Sequence, residues 1–384
     1  MSQIKKLYLS NFLTGLVFWY GIEKLFMQSI SLDAVSVGML TVLTIVINLT
    51  LDIPSGILAD KWSRKGMLVV SALALAICSL LLGSSSGFAI YAIGYAFYSL
   101  YVVCTSGTYQ AITYDSLYED GRSKDYSKIM GRAYALFLCG AGVANIASGF
   151  IADNFGYRMP FYITVISCFT NVLVMLSLRE PIFHKPENKK KILRQLANTS
   201  KAVINVPLLR ILAIIMSLFA VVELFKADFG QLYFLRYVTE PQLLGLLWAV
   251  YAFTWAIGGF IAHRLHNRLN ELVIGATLPI LLMGFIDNWL ALVLFNIQAI
   301  ASAALMNQIE TRIQDETPSY VRASVISVLS SIGRIIAIPA SLVLGWIFKN
   351  YGAFAAVRFI SVLAMCILFV WVYYQYSSKK KATT

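Results

Sequence analysis

The sequence predicts an all-α membrane protein: twelve transmembrane helices arranged as two pseudo-symmetric six-helix bundles. Three observations predict it. The chain of 384 residues is 59% hydrophobic and 13% charged, whereas a soluble domain carries about a quarter charged residues. Lipid has to cover most of that apolar surface. Four helix ends carry nearly the same word: Gly56-Ile57-Leu58-Ala59-Asp60, Gly149-Phe150-Ile151-Ala152-Asp153, Gly259-Phe260-Ile261-Ala262-His263 and, loosely, Gly345-Trp346-Ile347-Phe348-Lys349. The words recur about every hundred residues, which implies a three-helix unit copied four times, as in secondary transporters. Finally, Lys and Arg are divided sharply between the two ends of the helices.

The expected spans run at 7–28, 35–58, 67–85, 88–112, 131–152, 158–178, 208–230, 242–262, 271–286, 289–309, 325–348 and 351–374. Most reach the roughly 20 residues that cross a hydrocarbon core. The ninth is short. Short hinges, Ser84 to Gly87 and Asp287-Asn288, separate neighbours. Residues 1–180 form the expected N-terminal bundle, 181–206 a polar, basic linker with Lys189, Lys190 and Lys191, and 207–384 the C-terminal bundle.

Of the 31 Lys and Arg residues, those in the even-numbered loops, the tails and the linker far outnumber Arg158, Arg236, Lys349 and Arg358 on the other side. That asymmetry puts both termini in the cytoplasm. The net charge of +12 is therefore a topology signal facing anionic lipid at the cytoplasmic surface. No nucleic-acid patch is needed to explain it. The stretch after Met1–Lys6 is too long for a signal peptide and lacks a small-residue cleavage site.

The words at Gly56 and Gly259 end spans 2 and 8 on one side. Those at Gly149 and Gly345 end spans 5 and 11 on the other. Adjacent triplets are thus inverted while the halves are parallel.

At these residues the chain resembles the major facilitator superfamily. Gly56 to Lys65 is similar to that family's loop 2–3 signature, with Lys61 in place of an arginine and Ser63 in place of a glycine. A degenerate copy runs from Gly259 to Arg268, with His263 where the aspartate stood. Asp52-Ile53-Pro54-Ser55-Gly56, Tyr109-Gln110-Ala111 with Asp115-Ser116-Leu117, and Arg322 to Ser327 resemble stretches of the bacterial drug-exporter-like branch. Two features of that branch are missing: a proline in Ala144 to Gly149, and an arginine between Phe88 and Ile112. Their loss weakens proton antiport specifically.

The resemblance implies a gating motif of Gly56, Asp60, Arg64 and Asp115. Asp60 would sit near the positive amino end of span 11. Arg64 would pair with Asp115, and Gly56 would allow close helix approach. The bland reading is that Lys61, Arg64 and Lys65 only anchor topology. The resemblance also puts spans 1, 4, 7 and 10 around a central cavity.

Charges inside spans are costly and default to functional hypotheses. Glu23, Asp52, Glu223 and Arg334 are the candidates for proton coupling or substrate binding. Glu23-Lys24-Leu25-Phe26 and Glu223-Leu224-Phe225-Lys226 hold matching places in the two halves. On the resembled fold the two glutamates would face each other. A buried carboxylate can carry a proton or attract a cation; each is equally readable as an acid paired with its neighbouring lysine. Asp52, two residues before Pro54, reads as a protonatable gate residue or a structural partner. Arg334, read as buried, could hold an anion or lock Asp52.

Trp19, Tyr20, Tyr91, Tyr95 and Tyr98 are candidates for an aromatic cavity wall, the last three on one helical stripe. Such walls accept flat, lipophilic or cationic molecules; ordinary packing is the alternative. Asn296 and Gln298 are polar cavity candidates or inter-helix hydrogen-bonding groups.

The five cysteines (Cys78, Cys104, Cys139, Cys168, Cys366) lie in apolar runs without metal-ligand spacing. His263 and His266 read as loop donors. No Walker loop, zinc spacing or nucleophile elbow is present, so neither enzyme chemistry, a metal nor a cofactor is expected. The expected function is proton-driven export of a small lipophilic or cationic compound by a monomer in a bacterial inner (plasma) membrane. Proton-linked uptake or exchange of a polar metabolite, and a receptor or scaffold without transport, are the alternatives.

Overall fold

The computed structural model describes residues 2–181, 207–265, 268–315, 317 and 322–383. All regular structure among the described residues is helical. Apart from Pro181, the expected linker lies outside them, as does His266.

Span 1 is broken. Gln3–Gly15 is helical, 16–22 is irregular, and Glu23–Ser29 resumes the helix. The freed Phe18 N–H donates to Thr164 Oγ1 of span 6 at 2.9 Å, the kind of substitute a membrane-embedded break requires. An unbroken helix over 7–28 was expected; Glu23 instead opens the second piece.

Span 2 (Ala34–Lys61) begins where the Asp33 carboxylate accepts the Ser36 N–H at 3.0 Å, and it carries Pro54 inside. Span 3 (Arg64–Ser84) starts at Ser63, whose Oγ accepts the Gly66 N–H at 2.7 Å. These side chains satisfy orphan donors at helix starts. Span 4 bends: Phe88–Thr105 gives way to Thr108–Glu119 through Gly107 at φ +71°. Only glycine takes that conformation without strain. Spans 5 and 6 are Tyr126–Phe155 and Met159–Leu176.

Span 7 is Pro207–Leu224, a π-helical turn over Phe225–Phe229, and a last turn at Gly230–Phe234. Spans 8, 9 and 10 are Pro241–Ile261, Leu269–Met283 and Leu290–Asp315. Spans 11 and 12 lie in Arg322–Thr383, interrupted at Gly352 with φ 83° and ψ 174°. Among the described residues, eight helical stretches are long and apolar enough to cross a membrane, and Val328–Tyr376 among them is long enough for two spans. The broken spans 1 and 7 and the short span 9 complete the twelve-helix, two-domain layout.

The chain divides into two compact units, Met1–Pro186 with Val238–Ala252, and Glu187–Tyr237 with Phe253–Thr384. The first half of span 8 therefore groups with the N-terminal spans. The cause is close backbone contact with span 5: a Cβ on Gly149 would lie 2.3 Å from the Pro241 carbonyl oxygen, and one on Gly245 2.5 Å from that of Asn145. In the first unit, spans 1 and 5 meet at Gly15 and Gly140. A Cβ on Gly140 would fall 2.4 Å from the Phe12 carbonyl oxygen. Leu7, Leu68, Ile112, Ala133 and Met175 join spans 1, 3, 4, 5 and 6 in one core. In the second unit Gly258 of span 8 packs on Ile300 of span 10, and Gly284 on Ser361 of span 12.

A Cβ on Gly56 would meet nothing within 4 Å among the described residues. Around the other copies of the word, close approach is made by Gly149 in the second and by Gly258, one residue before the third.

Candidate functional site

Four groups meet at the loop between spans 2 and 3. Arg64 Nη1 donates to Asp115 Oδ2 on the extension of span 4. Arg64 Nη2 also lies 3.6 Å from Asp60 Oδ1, one turn back. The fourth group is Glu180, which sequence reasoning missed. Its Oε1 accepts the Arg64 N–H at 2.8 Å, and its Oε2 accepts the Lys65 N–H at 3.0 Å and the Ser63 hydroxyl at 2.5 Å. A carboxylate at the start of span 3 is favoured by the helix dipole as well as by these bonds. An acid directly after span 6, on the side where this loop emerges, was the available signal.

The two in-span glutamates are each held beside a lysine. Lys24 Nζ is 2.9 Å from Glu23 Oε2, with the residues 3% and 8% exposed. Tyr91 donates to Glu23 Oε1 at 3.4 Å, and Tyr95 donates to the same oxygen. Lys24 also reaches the Tyr95 hydroxyl at 3.3 Å. In the second unit Lys226, 0% exposed, lies 3.6 Å from Glu223 Oε2. Lys226 donates to Gln298 Oε1 and stands over the rings of Trp255 and Phe295. The Ser302 hydroxyl donates to Glu223 Oε1 at 2.5 Å. Lys226 sits in the π-helical turn, a feature that often marks functional sites.

The aromatic candidates separate into core and cavity. Trp19 is 1% exposed, stacks on Phe161 at 5.6 Å and donates to Ser79 Oγ at 3.0 Å. Tyr91 is fully buried. Both rings are taken up by packing in the bundle interior. Tyr20 and Tyr98 share a hydrogen bond of 3.1 Å and line a cavity. That cavity, of about 420 Å³, lies within the first unit between spans 1, 4 and 5. Its wall also includes Tyr101, Tyr109, Tyr134 and Phe137, with Asn11 and Gln110 as amide groups. The stripe on span 4 simply continues past Tyr98 in steps of three and four to Tyr101 and Thr105; following it further along the sequence would have found them. Tyr95 connects the cavity to the ion pair, since its ring lies 5.9 Å from that of Tyr98 while its hydroxyl binds Glu23.

Asn296 and Gln298 make inter-helix bonds. Thr254 donates to Asn296 Oδ1 at 3.1 Å, and Gln298 is buried beneath Lys226. Asp52 is half-buried, two residues before Pro54 inside span 2. Arg334 is exposed on its helix, against the buried position expected.

Beyond the spans, Arg236 and Asp287 tie the loop after span 7 to the loop after span 9, with Nε–Oδ1 at 2.7 Å. The hydrogen bonds from Arg236 hold the Asp287 carboxyl below its ordinary range.

Two repeated bundles of membrane-length helices, each with an ion pair sunk in its interior, define a polytopic membrane protein of the transporter type. The model of the Major Facilitator Superfamily matches residues 7–330, and the chain belongs to that transporter family. An uncharacterised MFS-type transporter of Methanocaldococcus jannaschii is 25% identical over 182 residues, which is 46% of this chain. The match spans 45% of that relative's own length. A variant of the nucleoside transporter NupG superposes with a TM-score of 0.83 at 15% identity, covering 96% of this chain and 98% of its own. The D-xylose-proton symporter superposes at 0.72 and 14% identity, with coverage of 96% and 98%. A bacterial homolog of the human lysosomal transporter Spinster gives 0.72 at 17% identity, with coverage of 96% and 94%. At these identities the likeness is one of fold.

Proposed function

We propose that the protein is a proton-coupled secondary transporter of the drug-exporter-like branch, moving a small lipophilic, ring-bearing compound out of the cell. One observation carries this reading: a cavity walled by five tyrosines and Phe137, one ring removed from a buried carboxylate. Its 420 Å³ falls in the range of small-molecule sites, about 300–1,000 Å³. Tyrosine faces hold flat apolar rings, and their hydroxyls supply a few orienting bonds.

Glu23 is the coupling residue in this reading. Lys24, Tyr91 and Tyr95 hold its carboxylate in place. Opening the ion pair would let it take up a proton, because an unpaired carboxylate in an apolar interior favours the neutral form. The contacts of Arg64 with Asp60 and Asp115 act as the clasp that closes and opens as the halves rock. The predominance of Lys and Arg in the even loops supports cytoplasmic termini in a plasma membrane.

A second reading, uptake or exchange of a polar metabolite, draws on Asn11, Thr14, Thr105 and Gln110 in the same wall. Accumulation in cells separates the two: deleting the protein raises intracellular cargo if it exports and lowers it if it imports. Flux into proteoliposomes under a pH gradient tests transport itself. A receptor or scaffold would move nothing.

A further inference from the structure

Each in-span glutamate has a lysine of its own, and each lysine is more deeply buried than its acid. Lys24 is 3% exposed against 8% for Glu23. The Lys226 side chain is 0% exposed against 21% for that of Glu223. The matching also extends to the chain: both pairs follow or occupy an irregularity, the break at 16–22 and the π-helical turn at Phe225–Phe229. Polar groups from the adjacent span complete both, Tyr91 and Tyr95 in one unit, Gln298 and Ser302 in the other.

Burying an ammonium is expensive, and a neighbouring acid only partly offsets the cost. A carboxylate needed only as a proton carrier does not require one. What the lysine changes is the net charge of the pair. A lone glutamate would attract cations; a glutamate with an adjacent ammonium is neutral. The cavity wall agrees, since Asn11, Thr14, Tyr20, Tyr98, Thr105 and Gln110 are all uncharged.

From this we infer that Lys24 is a specificity-determining residue: it neutralises Glu23, one ring from the cavity, so that the protein selects uncharged ring compounds over lipophilic cations. Discrimination then works by withholding a counter-ion from the wrong cargo. When Glu23 is protonated, the remaining ammonium of Lys24 repels a cation further. The inference rests on the transport reading above, and it names the charge class of that reading's cargo.

The test compares quinoline with its permanently charged N-methylquinolinium derivative. Binding of each to purified full-length protein in nanodiscs is measured at pH 7.5, for wild type, for Lys24→Met and for the charge-paired double E23Q/K24M. Wild type is expected to prefer quinoline by on the order of tenfold, the equivalent of about 1.4 kcal/mol. Lys24→Met is expected to erase or reverse that preference, and the double to restore it. A wild-type protein that binds the cation as well as or better than quinoline overturns the inference, and this arm needs no variant to fold. So does a Lys24→Met variant that folds but keeps the wild-type ratio. If wild type binds neither compound, the aromatic-cargo reading fails first and the charge rule falls with it.

Discussion

The carboxylate of Glu180 accepts the backbone N–H of Arg64 at 2.8 Å, across 116 residues of sequence. The same carboxylate takes the next backbone N–H and the Ser63 hydroxyl. It thereby sets the first turn of span 3, and the first turn aims the Arg64 guanidinium at Asp115. An acid at the end of span 6 positions a gating candidate without touching its side chain.

Glu180→Ala should therefore be felt twice. Three donors lose their acceptor, and leaving such groups unsatisfied costs about 1–3 kcal/mol. The thermal midpoint in detergent should fall. Transport should slow even at temperatures where the variant is folded, with Glu180→Gln intermediate. Wild-type turnover in folded Glu180→Ala would leave this residue a purely structural cap.

The clasp has its own signature. Asp115→Asn keeps the size of the side chain but removes the charge facing Arg64. It should change the cycling rate far more than cargo affinity, and Arg64→Ala should not add to it, because the two act through one contact. Additive effects in a double-mutant cycle would show that they work separately.

Gly140 and Gly56 make a contrasting pair. Gly140→Ala drives a methyl group to within 2.4 Å of the Phe12 carbonyl oxygen, and overpacking of this kind costs about 1–3 kcal/mol. Gly56→Ala meets nothing within 4 Å among the described residues and should leave the stability of the resting protein unchanged. A loss of transport in Gly56→Ala without a loss of stability would place its requirement in another state of the cycle.

Asp287 supplies a pH dependence. Its folded carboxyl is held below the ordinary value by hydrogen bonds from Arg236. The stabilisation is thus present above the unfolded value and is lost as pH falls through the folded one. Both side chains are partly exposed, at 41% and 33%, so the effect is small and screened by salt. Unfolding midpoints for wild type and Asp287→Asn should differ at pH 7 and converge on acidification below the ordinary carboxylate range.

Glu23→Gln should abolish the dependence of flux on the pH gradient while the protein still inserts and folds. Unchanged gradient-driven flux would move coupling elsewhere, with Glu223 the next residue to examine.

Much of the architecture could be read along the chain because membrane insertion is a one-dimensional filter. Stretches of about 20 apolar residues are counted directly, and the word ending at Asp60 marks its own repeats. Asp115 was reachable as the partner of Arg64 through the resemblance of the loop at Gly56 to Lys65. The break at 16–22, by contrast, has no apolar interruption to announce it, since it depends on Thr164 of span 6 arriving to accept Phe18. Trp19 and Tyr91 look like cavity aromatics on a helical wheel, and only packing against Phe161, Ser79 and Phe26 shows them to be core. Glu180 lies more than a hundred residues from the turn it caps. Local pattern governs which residues enter the bilayer; which face of each helix meets protein, and which acid meets which donor, depends on contacts between distant segments that exist only once the helices have packed.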